Sequence, residues 1–198
     1  MLTKSDYQSM WESCKLTTDP KKLNSLDYIC RVALTNQSTY FAVQGATRIP
    51  WPLIAALHSR ESDQSFKCHL HNGDPLTART VHVPKGRPSS GEPPFTWIQS
   101  ATDAFAGEWR PSDWTTPSCL EFLERYNGLG YQKHGVNTPY LWDYTDKYVS
   151  GLYVADGSFD TQAKEDRAGC VAILKTLIMK GVSLESFSSL APCNPDAH

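Results

Sequence analysis

The segment Ile54-Ala-Ala-Leu-His-Ser-Arg-Glu-Ser62 decides the fold that this sequence predicts. Pro52 stands just before it, in the first turn where proline is well tolerated, and apolar residues follow at helical spacing. We therefore expect a helix from Leu53 to about Ser62, with Leu57 and the neighbouring alanines on its buried side. Glu61 then lies in the last turn of an otherwise apolar helix, where apolar surroundings would raise the pKa of its carboxyl group.

Helical spacing of apolar residues also appears on both sides of this segment. The stretches with this pattern are Asp6 to Lys15, Ser25 to Gln44, Thr96 to Ala106, Thr116 to Tyr126 (ended by Gly128) and Thr161 to Lys180. Residues 66–94 alternate in polarity and are rich in turn residues, which favours a small hairpin followed by a loop. Residues 128–159 are expected to be loop with short helical turns. The chain is thus predicted to be predominantly α (α+β), with a small β-hairpin beside the helix of Glu61.

The composition is that of one globular domain. Of 198 residues, 40% are hydrophobic and 20% are charged, so the chain can bury a core of its own. We expect a single domain over residues 1–198 that acts as a monomer, with N-terminal helices at 1–48 and a flexible tail at 190–198. The formal net charge of -2 argues against binding to nucleic acid or to an anionic membrane, since clustered Lys and Arg drive both.

The N-terminal residues and the most apolar segment of the chain indicate where the protein is found in the cell. Residues 1–10 lack the continuous apolar stretch of a secretory signal, and Val171 to Met179 is too short to span a membrane. We therefore expect a soluble protein that is made in the cytoplasm without membrane insertion. The six cysteines lack Cys-x-x-Cys spacing, so a zinc ribbon or a thioredoxin motif is not indicated.

Three motifs, in order along the chain, resemble those of the lysozyme-like superfamily. Ser59-Arg-Glu-Ser62 resembles the Ser-Arg-Glu-Ser of goose-type lysozymes and lytic transglycosylases, whose helix carries the catalytic glutamate. Glu124-Arg-Tyr-Asn-Gly-Leu-Gly130 resembles their Ala-Tyr-Asn-x-Gly signature. Thr138 to Tyr148, followed by Gly151 to Gly157, is similar to the C-terminal part of bacterial and phage lysozyme-family proteins. The resemblance covers roughly residues 50 to 160 and implies a lysozyme-like fold.

What the resemblance implies about function concerns the glycan strand of peptidoglycan. Glu61 would be the general acid that cleaves the β-1,4 linkage between N-acetylmuramic acid and N-acetylglucosamine, and chitin-like polymers are the second choice of substrate. Tyr126 and Asn127 would hold the acetamido group or the ring of a bound sugar. Arg60 could pair with a carboxylate and fix the helix end. No cofactor is implied.

Further candidate contacts with the substrate come from the residues themselves. His58 lies one helical turn before Glu61, at a spacing that allows contact with the carboxyl group. Tyr140 and Trp142 are candidates for stacking on sugar rings, although large aromatic residues also fill cores. These three residues complete the predicted substrate-binding set together with Thr80.

The second catalytic group is open at this point. An inverting glycosidase needs a base about 6.5 to 9.5 Å from the acid, and a retaining one a nucleophile at about 5 to 5.5 Å. Asp74 is the candidate, because its loop should fold back beside Glu61, yet Asn-Gly-Asp-Pro is also ordinary turn chemistry. Thr77 and Thr80 could instead position a water by hydrogen bonding. Without a second carboxylate, a lytic transglycosylase remains, in which the sugar's own hydroxyl attacks.

Two alternatives belong to other classes of protein. His69, His71 and His82 could meet across the hairpin and bind zinc, as in a wall amidase or peptidase. The chain lacks His-Glu-x-x-His spacing, so we expect no metal. A wall-binding phage tail module that does not cut is the second alternative. For the favoured enzyme, a holin, a secretion machine or a phage tail would have to deliver the protein to the wall, as for an endolysin.

Overall fold

The computed structural model describes residues 1–183, and within this range the chain is mainly helical. Its elements are α1 (Lys4–Ser13), α2 (Pro20–Thr35), α3 (Gln37–Thr47), α4 (Trp51–Ser62), α5 (Trp97–Ala104), α6 (Thr116–Asn127), a 3-10 helix (Gly130–His134), α7 (Pro139–Trp142), β1 (Leu152–Ala155), β2 (Ser158–Asp160) and α8 (Cys170–Met179). This confirms the predicted class, predominantly α with a small hairpin. The predicted flexible tail at 190–198 lies outside the described residues.

The helix of Glu61 is confirmed, but its burial is more complete than expected. Pro52 lies in the first turn of α4, and every residue from Trp51 to Arg60 is buried. The helix is therefore covered on all sides, instead of on one apolar side. It ends where Asp63 and Gln64 both adopt left-handed backbone conformations.

The predicted helix over 25–44 is two helices. The first begins earlier, because the side chain of Asp19 accepts hydrogen bonds from the amides of Lys21 and Lys22 and caps α2. It stops at Asn36, whose side-chain amide donates to the carbonyl oxygen of Val32. Asparagine competes for backbone groups in this way, so it favours a break between helices.

The hairpin was predicted in the wrong segment. Residues 66–94 contain turns and one isolated bridge, between Cys68 and Pro75, because five prolines in this stretch cannot donate to a sheet ladder. The antiparallel pair β1–β2 forms instead within 128–159 and its flank, around an Asp156-Gly157 turn. Gly157 has a positive φ, a backbone conformation that glycine adopts without strain.

The last predicted helix begins later than expected. Residues 161–169 are not helical, and α8 starts at Cys170. Gly169 packs closely on the backbone of α7: a Cβ added to it would lie 2.5 Å from the carbonyl oxygen of Leu141. We call residues 161–169 the strap, because this segment crosses the end of α4.

The core runs through the described part of the chain without a gap. It extends from Tyr7 in α1 to Leu177 in α8, with α4 packed against α3 and α8, and α1 packed against α6. No helix within residues 1–183 is long and apolar enough to cross a membrane.

Candidate functional site

A cavity of about 400 Å³ opens at the end of α4 and contains Glu61. Its walls come from the ends of α4 and α6, the 3-10 helix, α7, β1 and the strap. The lining residues are Arg60, Glu61, Asn127, Tyr131, Pro139, Tyr140, Leu152, Tyr153, Glu165 and Arg167. The hairpin thus does stand beside Glu61, as expected, although it comes from a later part of the chain.

Glu61 has the electrostatic environment of a proton donor. Burial raises the pKa of its carboxyl group, and this outweighs the opposing effects of a hydrogen bond from Tyr140 and the charges of Arg60 and Arg167. The Tyr140 hydroxyl donates to Oε1 of Glu61 at 2.6 Å. One oxygen is therefore held in place, and the carboxyl group stays protonated to a higher pH than an ordinary glutamate.

A buried ion pair fixes the strap to α4, and the sequence did not reveal which carboxylate is the partner of Arg60. Nη2 of Arg60 lies 3.0 Å from Oε2 of Glu165, and Nη1 of Arg60 donates to the carbonyl oxygen of Arg167. Arg167 contacts the same carboxylate, with Nη2 3.2 Å from Oε2. Burial alone would raise the pKa of Glu165, but the two arginines lower it, so this carboxylate is ionised. The predicted pairing of Arg60 with a carboxylate is confirmed.

The residues of the Tyr-Asn motif have different positions. Asn127 lines the cavity, with its side-chain amide 3.4 Å from Oγ1 of Thr138. Tyr126 does not line it, and its ring packs against Phe105 and Phe122. Burial and then the charge of Glu61 raise the pKa of Tyr126, so the two groups interact although Tyr126 does not line the cavity.

Of the two aromatic candidates for sugar stacking, only one reaches the cavity. Tyr140 lines it and holds Glu61. Trp142 is fully buried and belongs to the core, so its expected role in stacking is wrong. Two aromatic residues that we had not predicted, Tyr131 and Tyr153, line the cavity with their rings edge to face at 5.1 Å.

Asp74 is not placed as a second catalytic carboxylate. Its loop does fold back on α4, since a Cβ at Gly73 would lie 3.6 Å from the carbonyl oxygen of Glu61. The carboxylate, however, accepts hydrogen bonds from the ring and amide of His82 and from the amide of Val81. The hydrogen bond from the His82 ring is the main reason why the pKa of Asp74 lies below its usual range. Asp74 therefore organises its own loop.

Thr80 serves the same loop and does not line the cavity. Its hydroxyl accepts a hydrogen bond from the amide of Arg87 and donates to the carbonyl oxygen of Pro84. The side chain is buried in these contacts. The expected role in positioning a catalytic water is therefore not supported by its position.

His58 is a core residue and makes no contact with the cavity. Nδ1 lies 2.9 Å from the hydroxyl of Tyr40, and the ring packs between Phe66 and Trp97. Burial lowers the pKa of His58 to about 4, so the ring is neutral at physiological pH. The predicted contact with Glu61 is wrong, because the ring points to the aromatic side of α4.

The histidines of the zinc alternative each have a protein partner. His69 contacts Ser100 and the carbonyl oxygen of Ala78, His71 contacts Asp103, and His82 contacts Asp74. Among residues 1–183, no three His, Cys, Asp or Glu side chains are grouped so that they could hold a metal ion. The positions of these rings thus give the zinc alternative no support.

No family model matches the chain, and the comparisons with curated proteins and with solved structures found no match. The resemblance of its short motifs to lysozymes therefore stays a prediction. Its function has to be inferred from the residues of the Glu61 cavity.

Proposed function

We propose that this protein cleaves the glycan strands of peptidoglycan, at the β-1,4 linkage between N-acetylmuramic acid and N-acetylglucosamine, with Glu61 as the general acid. The observation that carries the proposal is the setting of Glu61, a carboxyl group that lines an open cavity, accepts a hydrogen bond from Tyr140 and has its pKa raised by burial. Glycosidic cleavage needs such a group beside the leaving oxygen. No cofactor takes part in this chemistry.

Glu61 serves in turn as the acid and as the base of the proposed cleavage. Glu61 gives its proton to the glycosidic oxygen as the bond from that oxygen to the anomeric carbon breaks. Positive charge then develops on the sugar ring, and the Glu61 carboxylate accepts a proton from the hydroxyl group that attacks the anomeric carbon. The Tyr140 hydroxyl stabilises the carboxylate between the two steps. If the attacking group is water, the product is a hydrolysed strand.

A lytic transglycosylase is the second candidate, and the carboxylates of the cavity favour it. Asp74 is absent from the lining, and Glu165, the other carboxylate that lines this cavity in the described chain, is bound by Arg60 and Arg167. A carboxylate held by two guanidinium groups is a weak base, since both stabilise its ionised form. Attack by the sugar's own hydroxyl needs no further carboxylate.

The test is the substitution Glu61→Gln, which keeps the size of the side chain and an acceptor for Tyr140. We expect a loss of about 100-fold or more in the release of soluble fragments from purified peptidoglycan, because a general acid contributes about that much. Glu12→Gln, at an exposed glutamate of α1, is the matched control and should leave the activity unchanged. Wild-type activity in Glu61→Gln would overturn the proposal.

The products separate the two candidates. Mass spectrometry of the released fragments would show reducing muramic acid ends for a hydrolase and anhydro ends for a transglycosylase. Binding to peptidoglycan without any release by the wild type would instead favour a wall-binding module. We further propose that the protein is a monomer that reaches the wall through a holin, a secretion machine or a phage tail.

A further inference from the structure

Arg167 is the exposed cation of the Glu61 cavity. Its side chain is 54% exposed, whereas that of Arg60 is 4% exposed. Arg167 donates from Nη1 to the carbonyl oxygen of Arg60, and from Nε and Nη2 to Glu165. These bonds use three of the five N–H groups that a guanidinium carries. Within residues 1–183 the other two N–H groups have no hydrogen-bond partner, and the Arg167 side chain lines the Glu61 cavity.

The charges around Arg167 leave a surplus of positive charge. Arg60 and Arg167 share one carboxylate, that of Glu165, and Glu61 is uncharged while it holds its proton. Asp143 also acts on Arg60, but its carboxyl group lies 3.9 Å from Nζ of Lys22, whose charge balances it. Asp63 also acts on Arg167, but it is exposed, so solvent screens its charge. A cavity with one unmatched guanidinium favours a ligand that brings an anionic group, above all a planar carboxylate.

We propose that Arg167 binds a carboxylate on the 3-O-lactyl branch of the muramic acid unit and so selects peptidoglycan over neutral polymers such as chitin. This inference rests on the proposed function, since it concerns which sugar stands beside Glu61. Peptidoglycan and chitin share a backbone of N-acetylated sugars joined by β-1,4 linkages. The 3-O-lactyl branch of peptidoglycan is the part that carries negative charge. The carboxylate is either that of the lactyl group itself or that of a stem peptide attached to it.

The same contact would assist the acid. The hydrogen bond from Tyr140 and the charges of Arg60 and Arg167 lower the pKa of Glu61 and oppose the effect of burial. A substrate carboxylate bound to Arg167 offsets part of that positive charge. The protonated form of Glu61 is then favoured when the anionic strand is in place.

The test compares two oligosaccharides of equal length, an N-acetylglucosamine–N-acetylmuramic acid oligomer without peptides and a chito-oligosaccharide. Binding is measured by calorimetry in the Glu61→Gln background, so that cleavage does not interfere. We expect Arg167→Gln to weaken binding of the anionic oligomer about 10-fold to 100-fold, because this is the contribution of a charge-assisted hydrogen bond. Binding of the neutral oligomer should change less than about twofold. Arg31→Gln, at an exposed arginine of α2, should change neither.

Further arms define what would overturn the inference. Arg167→Lys keeps the charge and should retain part of the preference, which guards against a variant that fails to fold. A peptide-bearing oligomer that loses affinity in Arg167→Gln while the bare oligomer does not would assign the contact to the stem peptide. The anion site would be overturned if Arg167→Gln lowered the affinity for the chito-oligosaccharide as much as for the anionic oligomers, or if neither the bare nor the peptide-bearing oligomer bound more tightly than the chito-oligosaccharide to the protein with Arg167 intact. Cleavage of peptidoglycan that depends on Glu61 would still stand in that case.

Discussion

At the scale of single residues, the surroundings of each carboxyl group decide its role. Glu61 is desolvated, with one hydrogen bond from a phenol, and its pKa is raised. Asp74 receives three hydrogen bonds from His82 and Val81, and its pKa is lowered. Burial disfavours the charged form, whereas donors to a carboxylate favour it. The first group is therefore fit to donate a proton, and the second is fit to hold a loop.

Tyr140→Phe tests the hydrogen bond to Glu61. The phenol stabilises the ionised form, so its removal should raise the pKa of Glu61 further and keep the acid protonated to higher pH. We expect the alkaline limb of the pH–activity profile to move to higher pH, with a loss of about 1 kcal/mol in the free energy of unfolding. Tyr28→Phe, at an exposed tyrosine, should change neither quantity. A shift of the limb to lower pH would contradict the assignment.

The buried ring of His58 makes stability depend on pH. Its pKa in the folded protein is about 4, below the ordinary value of 6.5, so the unfolded chain binds a proton first as the pH falls. This contribution is present above pH 6.5 and is lost towards pH 4, by about 3 kcal/mol in all. Urea unfolding of His58→Gln should therefore show a weaker fall in stability over this window than the wild type. Identical falls would rule out this origin.

At the scale of elements, the strap explains why the cavity exists. Residues 161–169 leave helical geometry and carry Glu165 and Arg167 across the end of α4, where both meet Arg60. If this stretch were helical, the side chains of Glu165 and Arg167 would point to different sides of the helix axis. The close approach at Gly169 sets the point at which the strap ends and α8 begins.

Gly169→Ala tests this close approach. An added Cβ would lie 2.5 Å from the carbonyl oxygen of Leu141 and 2.7 Å from the amide nitrogen of Asp143, and backbone atoms cannot move aside as a side chain can. We expect a loss of about 2 kcal/mol or more in the free energy of unfolding. Gly45→Ala is the matched control, because nothing lies within 4 Å of its Cβ position in α3. It should stabilise the protein by about 0.5 to 1 kcal/mol.

At the scale of the whole molecule, one core joins the first helix to the last. Tyr7 in α1 donates a hydrogen bond to the buried carboxylate of Glu124 in α6, and the thiol of Cys30 in α2 donates one to the carbonyl oxygen of Ile173 in α8. Elements that share a core lose their packing together when one of them unfolds. A single domain over residues 1–198 nevertheless stays a prediction.

Cooperative unfolding is the expected consequence of this shared core. Far-ultraviolet circular dichroism, which follows the helices, and tryptophan fluorescence, which follows Trp51 and Trp142 in the interior, should give coincident transitions in urea. Tyr7→Phe should shift both curves together to lower urea, because it removes a partner of buried Glu124. Separate transitions for the two probes would indicate independently folding parts.

The sequence by itself determined where most of the helices lie and that Glu61 stands in the last turn of α4. Apolar spacing, proline in the first turn of α4 and glycine after α6 are local signals, and the elements they predict are present. A local signal was misleading for residues 66–94. Their alternating polarity suggested a hairpin, but the prolines lack the amide hydrogens that a ladder of hydrogen bonds between strands needs. The Asp156-Gly157 turn was a local signal for the true hairpin.

Only the tertiary structure decided which polar residues share the cavity. Glu165 and Arg167 lie more than a hundred residues from Arg60 along the chain, and nothing in their local sequence marks them. His58 and Glu61 are three residues apart, yet one faces the aromatic core and the other faces the cavity. Spacing within a helix fixes direction relative to the axis, but the segments packed around that helix determine what each side chain meets.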